Sequence, residues 1–151
     1  PRKLGVFRLL WFLVMQIYRT TLTVFISGLL VVMGLTSIYA IFFPNINFLL
    51  FEESYLEFLS LTDTGGNGKL NLITYPVSLY FICAVTCMQY LRSRQTLFLN
   101  FLILMWSAVL FARIISIILR GGVVIDIYFF FGILPEFIIA LFFVFIKSKI
   151  S

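Results

Sequence analysis

Histidine is absent from this 151-residue sequence, and charged side chains make up only 11% of it. Without histidine the chain lacks the commonest ligand of haem iron, zinc and copper, and the usual general base near neutral pH. We therefore expect no cofactor, and no haem or chlorophyll ligated by histidine. The two cysteines, Cys83 and Cys87, lie in one apolar run, which excludes a disulfide scaffold. Two thiols alone make a poor metal site, so we expect packing residues and no metal.

The scarcity of charge is matched by an excess of apolar side chains, which make up 62% of the chain. A soluble domain would carry roughly 25% charged residues, and one small globule cannot hide this much apolar surface. The apolar runs are continuous, whereas a β-barrel would show short alternating segments. The sequence predicts an all-α integral membrane four-helix bundle, with the lipid bilayer as solvent.

The four predicted spans form one membrane domain over residues 20–151. Pro44 follows the first span, and Pro76 suits the first helical turn of the second. A basic turn separates the second and third spans, and a glycine-bearing turn separates the third and fourth. The predicted boundaries are about 20–43, 75–91, 97–119 and 128–146.

Residues 1–19 precede these spans as a basic, mostly apolar segment. Arg8, Gln16 and Arg19 fall within a sector of about 80° on a helical wheel. This narrow polar stripe favours an amphipathic helix lying in the membrane interface. A signal peptide is the alternative, although no small-residue cleavage site follows and Arg19 interrupts the apolar run.

Residues 45–74 form the longest polar connection, an outer loop with four of the six acidic residues. Within it, residues 48–59 are amphipathic at helical spacing, with Glu52, Glu53 and Glu57 on one polar face. This pattern predicts a second interfacial helix. Residues 63–70 have only part of an EF-hand pattern, since Thr74 stands where a bidentate glutamate belongs. We expect a flexible turn there.

The basic residues are distributed unevenly between the two sides of this arrangement. With the N-terminus inside, the outer side has only Lys69 and Arg120, and Arg113 lies within a span. The other eight basic residues lie inside. This positive-inside bias predicts an N-in/C-in topology. It also explains the net charge of +5, so no nucleic-acid partner is expected. The inner residues are Arg2, Lys3, Arg8, Arg19, Arg92, Arg94, Lys147 and Lys149.

Arg113 and Glu136 are charges inside the third and fourth spans. They lie six residues before Leu119 and eight after Tyr128, roughly 9 and 12 Å below the outer helix ends. Because an unpaired charge at mid-membrane costs at least about 2.5 kcal/mol, we expect an intramembrane ion pair. A structural pair that fixes the register of two helices is favoured, since no chain of titratable groups accompanies it. A proton path or a polar anchor for a ligand is the alternative.

Small and polar residues near this pair give further expectations. Ser116 lies one turn from Arg113 as a possible second partner, while Gly132 and Ala140 flank Glu136 on a small-residue face. In the first span, a face that includes Ser27 and Gly34 predicts close helix packing. Asn100 and Ser107 lie on a different face of the third span, where they are available to other helices or a partner subunit.

The run Ala112-Arg113-Ile114-Ile115-Ser116, followed by Gly121 or Gly122 and then by Glu136, resembles the Arg-x-x-Ser … Gly … Glu pattern of the DUF4345 family. These are small four-helix bacterial membrane proteins of unassigned function. The resemblance covers about residues 75–145 and implies the fold and the pairing of Arg113 with Glu136. It implies no chemistry.

No catalytic constellation is recognisable, so we expect a non-catalytic accessory or structural subunit of a larger membrane complex, packed against other integral membrane subunits and lipid. The alternative is a binder or carrier of a small lipophilic molecule, with the Arg113–Glu136 pair as its polar end. An isomerase that uses Glu136 as acid or base ranks third. The expected location is the bacterial inner membrane, with the mitochondrial inner membrane as the alternative.

Overall fold

The computed structural model describes residues 2–43, 46–47, 54, 66–119, 121–123, 125 and 129–150. Within these ranges the chain is helical, with one isolated bridge between Asn47 and Ser54 and no strand. The expectation of an all-α protein is confirmed. The elements in chain order are α1 (Arg2–Phe42), α2 (Gly66–Ser93), α3 (Thr96–Leu119), a π-helical turn (Phe129–Ile133) and α4 (Leu134–Ile150).

Three helical segments in the described part of the chain are long and apolar enough to cross a membrane. They are Leu10–Phe42, Thr96–Leu119 and Phe129–Lys149. A stretch of about 20 apolar residues is sufficient to span the hydrocarbon core, and each of these segments reaches that length. The chain is therefore a multi-pass integral membrane protein.

The first helix runs without a break across the predicted boundary at residues 19–20. No glycine or proline occurs between Gly5 and Gly28 to interrupt it. The hydroxyls of Thr21 and Thr23 donate to the carbonyls of Ile17 and Arg19 at 2.9 Å, so the polar residues at the boundary are satisfied within the helix. With 41 residues, α1 is about 60 Å long, twice the thickness of a hydrocarbon core.

The second helix begins at Gly66, nine residues before the predicted start at Tyr75. Residues 66–70, where the sequence indicated a flexible turn, are helical. Pro76 therefore lies inside α2 and not in its first turn. Proline in this position cannot donate to the carbonyl four residues earlier. The Ser78 hydroxyl donates to the Thr74 carbonyl at 2.7 Å in the same turn, which satisfies one backbone acceptor near the interruption.

The C-terminal hairpin follows the predicted boundaries closely. At the end of α3, Gly122 N–H donates to the Ile117 carbonyl and Gly121 N–H to the Ile118 carbonyl, at 3.1 and 3.2 Å. This is a Schellman motif, and Gly121, with φ of 76°, supplies its left-handed residue. The chain then enters the π-helical turn and continues into α4, which packs against α3.

The chain divides into two compact units, residues 27–92 and residues 1–26 with 93–151. In the first of these, Ala40 and Val77 are buried, and Tyr39 and Tyr80 pack against them. The Tyr39 hydroxyl donates to the carbonyl of Ile46.

The second unit joins the beginning of α1 to α3 and α4. Phe25 of α1 lies with its ring centroid 3.9 Å from that of Phe142 and 5.5 Å from that of Phe143. Nearer the chain termini, Tyr18 contacts Phe145 edge-on at 6.5 Å.

Several sequence expectations fall outside the described residues. They concern Pro44, the acidic segment 48–59 apart from Ser54, residues 63–65, Arg120 and Tyr128.

Candidate functional site

Arg113 lies on the packed face of α3. Leu99, Leu102 and Trp106 are buried along this face, and Arg113 follows Trp106 by seven residues, or two helical turns. The spacing i, i+3, i+7 and i+14 keeps all four side chains on one side of the helix. The helix therefore turns its single charge toward its neighbour and away from its exposed face.

Glu136 is held by the irregular start of α4. Pro135 has no N–H, and in a regular α-helix its ring would crowd the carbonyl of Phe131. The turn that contains that carbonyl is a wider π-helical turn, Phe129–Ile133, which gives the proline room. Glu136 then lies in the first turn of α4, directly after the π-helical turn.

The two side chains form a bidentate ion pair. Arg113 Nε donates to Glu136 Oε2 at 2.7 Å, and Arg113 Nη2 donates to Oε1 at 2.8 Å. Planar guanidinium and planar carboxylate meet through two parallel, charge-assisted hydrogen bonds, the strongest geometry available to these groups. Both carboxylate oxygens are engaged, so the pair joins α3 to α4 and leaves Glu136 poorly placed to act as a general base.

The pair is not fully enclosed by its own chain. The side chain of Arg113 is 37% exposed and that of Glu136 is 20% exposed. The two charges neutralise each other, but part of each side chain faces whatever surrounds this end of the hairpin. In a bilayer such surface is stable only against protein, headgroups, water or a polar ligand.

Burial separates the hairpin into two halves. The closed half comprises residues 96–106 and 140–149; the open half comprises residues 107–119 and 129–139. No residue of the open half is buried, although all of its side chains are described, and it is this half that holds the ion pair. Six side chains of the closed half are buried, namely Leu99, Leu102, Trp106, Ala140, Phe143 and Ile146.

The other residues suggested by the sequence have varied positions. Ser116 is half-buried beside the pair, but it makes no hydrogen bond to Arg113 or to the rest of the described chain. Asn100 is exposed, on the side of α3 away from Arg113. Ala140 is buried in the closed half.

The glycines do not mark close approaches between helices. A Cβ atom built on Gly34 or on Gly132 meets no other atom within 4 Å. Both residues are only half-buried, and no close backbone contact is seen at either position among the described residues. Ser27, on the same predicted face as Gly34, is also half-buried.

Two polar features of the same unit were not anticipated from the sequence. Arg94 Nη1 donates to Thr23 Oγ1 at 2.7 Å, which connects the turn after α2 to α1. Arg94 also adopts φ of 56°, a left-handed conformation uncommon for a residue with a side chain. Trp106 Nε1 is buried without a hydrogen-bond partner in the structure. The sequence gives no signal for the Arg94–Thr23 hydrogen bond or for the burial of Trp106 Nε1, because both depend on how the helices pack against each other.

The cysteines are packing residues of α2. Cys83 and Cys87 are both buried, one helical turn apart, and no disulfide joins them. Among the described residues, no cluster of three or more histidine, cysteine or acidic side chains is placed to hold a metal ion.

Comparisons with known proteins add no relative. The chain matches no family model, no curated protein and no solved structure. The resemblance to the DUF4345 family stays a prediction based on a few residues.

Proposed function

We propose that this protein is a non-catalytic accessory or structural subunit of a larger membrane protein complex. The observation that carries the proposal is the ion pair in the open half of the hairpin. Its partners are joined by two short hydrogen bonds, yet 37% of the Arg113 side chain remains exposed. Such a pair is poorly solvated by lipid tails, so a neighbouring subunit is a favourable cover for it.

The proposed topology has four spans with both ends inside. α2 contributes the additional span: its 28 residues reach about 42 Å, more than the hydrocarbon core requires. The positive-inside distribution of basic residues supports this orientation. The start of α1 then extends beyond the inner end of the bundle, where Arg8 and Arg19 favour an interfacial position next to anionic headgroups.

Native mass measurement after mild extraction in lipid nanodiscs tests the proposal. We expect this chain in a particle that contains at least one different protein in fixed proportion. The Arg113→Met, Glu136→Gln double variant removes both charges together, so we expect it to fold but to lose that partner more readily than the parent. A particle that holds only copies of this chain would contradict an accessory role.

A second candidate, a binder of a small lipophilic molecule with a polar head, is favoured by the same partly exposed ion pair. The ligand head would contact Arg113 and Glu136, and its tail would lie against the open half. Extraction and mass analysis of molecules that co-purify with the chain test it. A lipophile present in the parent and missing from the double variant supports this role, and full occupancy in both eliminates it.

A further inference from the structure

The exposed side of α3 is a continuous stripe with one polar end. Its residues are spaced four, three, four, three and four apart, the repeat with which two helices pack along a seam. Leu104, Phe111 and Ile118 are 67%, 66% and 71% exposed, so the other helical segments of the same unit leave the stripe open. We name it the α3 seam, and its residues are Asn100, Leu104, Ser107, Phe111, Ile114 and Ile118.

Asn100 is the polar residue at one end of this stripe. Its side chain is exposed and makes no hydrogen bond within the described chain. It lies about 6 Å along α3 from Thr96, which places a carboxamide beside apolar side chains. By comparison, the exposed residues of α1 beyond Val24 and of α4 before Lys147 are apolar apart from a glycine. An unsatisfied amide in hydrocarbon is unfavourable, whereas one bonded across two helices stabilises their contact.

We propose that the α3 seam is the contact between two copies of this chain. Copies inserted in the same orientation have parallel α3 helices, and a two-fold axis along the membrane normal packs the seam against itself in register. Asn100 then meets Asn100 of the partner at the same depth. A carboxamide carries both donors and an acceptor, so this pair is self-complementary and satisfies two otherwise unpartnered groups.

The other seam residues fit the same arrangement. Ser107, a small half-buried residue two turns from Asn100, allows the two helices to approach at mid-seam. Leu104 and Phe111 flank it as large exposed side chains that can fill the spaces of an identical partner. A single asparagine in an apolar seam also fixes register, because any slip leaves both amides unpaired. The ion pair is on the opposite, packed face of α3 and remains available to a different partner.

Dilution of fluorescently labelled, purified protein in phosphatidylcholine vesicles tests the proposal without any other subunit. We expect energy transfer between copies to fall as the lipid-to-protein ratio rises, with a dissociation constant about tenfold higher for Asn100→Leu. The matched control, Asn100→Leu with Phe101→Asn, keeps one exposed amide at nearly the same depth but moves it about 100° around the helix. It should dimerise no better than Asn100→Leu.

Cysteine cross-linking tests which face is used. Ser107→Cys, on the seam, should form disulfide-linked dimers under mild oxidation, whereas Ala108→Cys, at nearly the same depth but off the seam, should not. The parent protein, with Cys83 and Cys87 buried, measures the background. Equal dissociation constants for the parent and Asn100→Leu, or cross-linking at Ala108→Cys as efficient as at Ser107→Cys, would overturn the proposal. Because only this chain is present, the outcome is independent of whether an accessory role is correct.

Discussion

The closed and open halves of the C-terminal hairpin are built from the same two helices but are held together by different forces. In the closed half, Phe143 is fully buried with its ring against that of Phe25 in α1, so the contact is apolar. In the open half no side chain is buried, and a bidentate ion pair joins α3 to α4. In lipid, helix association depends on close packing and interhelical hydrogen bonds, because tails are as apolar as the side chains. Close packing therefore joins the helices in the closed half, and interhelical hydrogen bonds of the ion pair join them in the open half.

This division has a consequence for function. A well-packed apolar region requires no further partner, whereas a region held by exposed charges remains polar enough to recognise one. The proposed cover of the ion pair and the proposed lipophile site both lie in the open half for this reason. Variants in the two halves should therefore have different effects. Loss of packing in the closed half should lower stability, whereas loss of the ion pair in the open half should lower stability and also alter partner or ligand binding.

The largest effect is expected in the closed half, for Phe143→Ala. Phe143 is fully buried, and its ring centroid lies 5.5 Å from that of Phe25. Removing a buried aromatic side chain leaves a cavity and should lower the free energy of unfolding by about 3 kcal/mol. Unfolding by dodecyl sulfate in mixed micelles measures this change. Phe130→Ala in the open half is the matched control; its side chain is exposed, and we expect a loss below about 1 kcal/mol. Equal losses of unfolding free energy for the two variants would show that packing is no more important in the closed half than in the open half.

The next largest effect is expected for Arg113→Met in the open half. Glu136 would keep its charge without the guanidinium that neutralises it, and we expect a loss of about 2–3 kcal/mol in the same unfolding experiment. Adding Glu136→Gln to this variant removes the uncompensated charge and should recover most of the loss. A double variant as unstable as Arg113→Met alone would mean that the pair contributes through shape and not through charge.

The sequence was sufficient for the elements that depend on local pattern. The bounds of α3 follow from one long, mostly apolar run, and the turn after it follows from Gly121 and Gly122. The depths of Arg113 and Glu136 also follow from counting residues along two antiparallel helices, and the structure places their side chains in contact. In each case the information lies within one helix or between neighbours in the chain.

The remaining features depend on information that the sequence does not carry locally. Polar residues around Arg19 suggested a helix boundary, but Thr21 and Thr23 bond to the preceding turn and α1 continues. Pro76 suggested a helix start, yet α2 accommodates it internally. The open half was not expected either, since small residues such as Gly132 indicate a close contact only when another helix lies opposite them.

The smallest effect is expected for Gly132→Ala, which tests whether another helix lies opposite Gly132. Gly132 lies in the π-helical turn of the open half, its φ is not positive, and an added Cβ has no atom within 4 Å. Alanine should therefore be neutral or stabilise the fold by up to about 1 kcal/mol, because it restricts the unfolded chain without creating a clash. Gly121→Ala is the control: its φ of 76° should make alanine unfavourable by about 1 kcal/mol. If Gly132→Ala is the more damaging of the two, another helix does approach Gly132, and the open half is covered in the membrane by a surface that one copy of the chain does not supply.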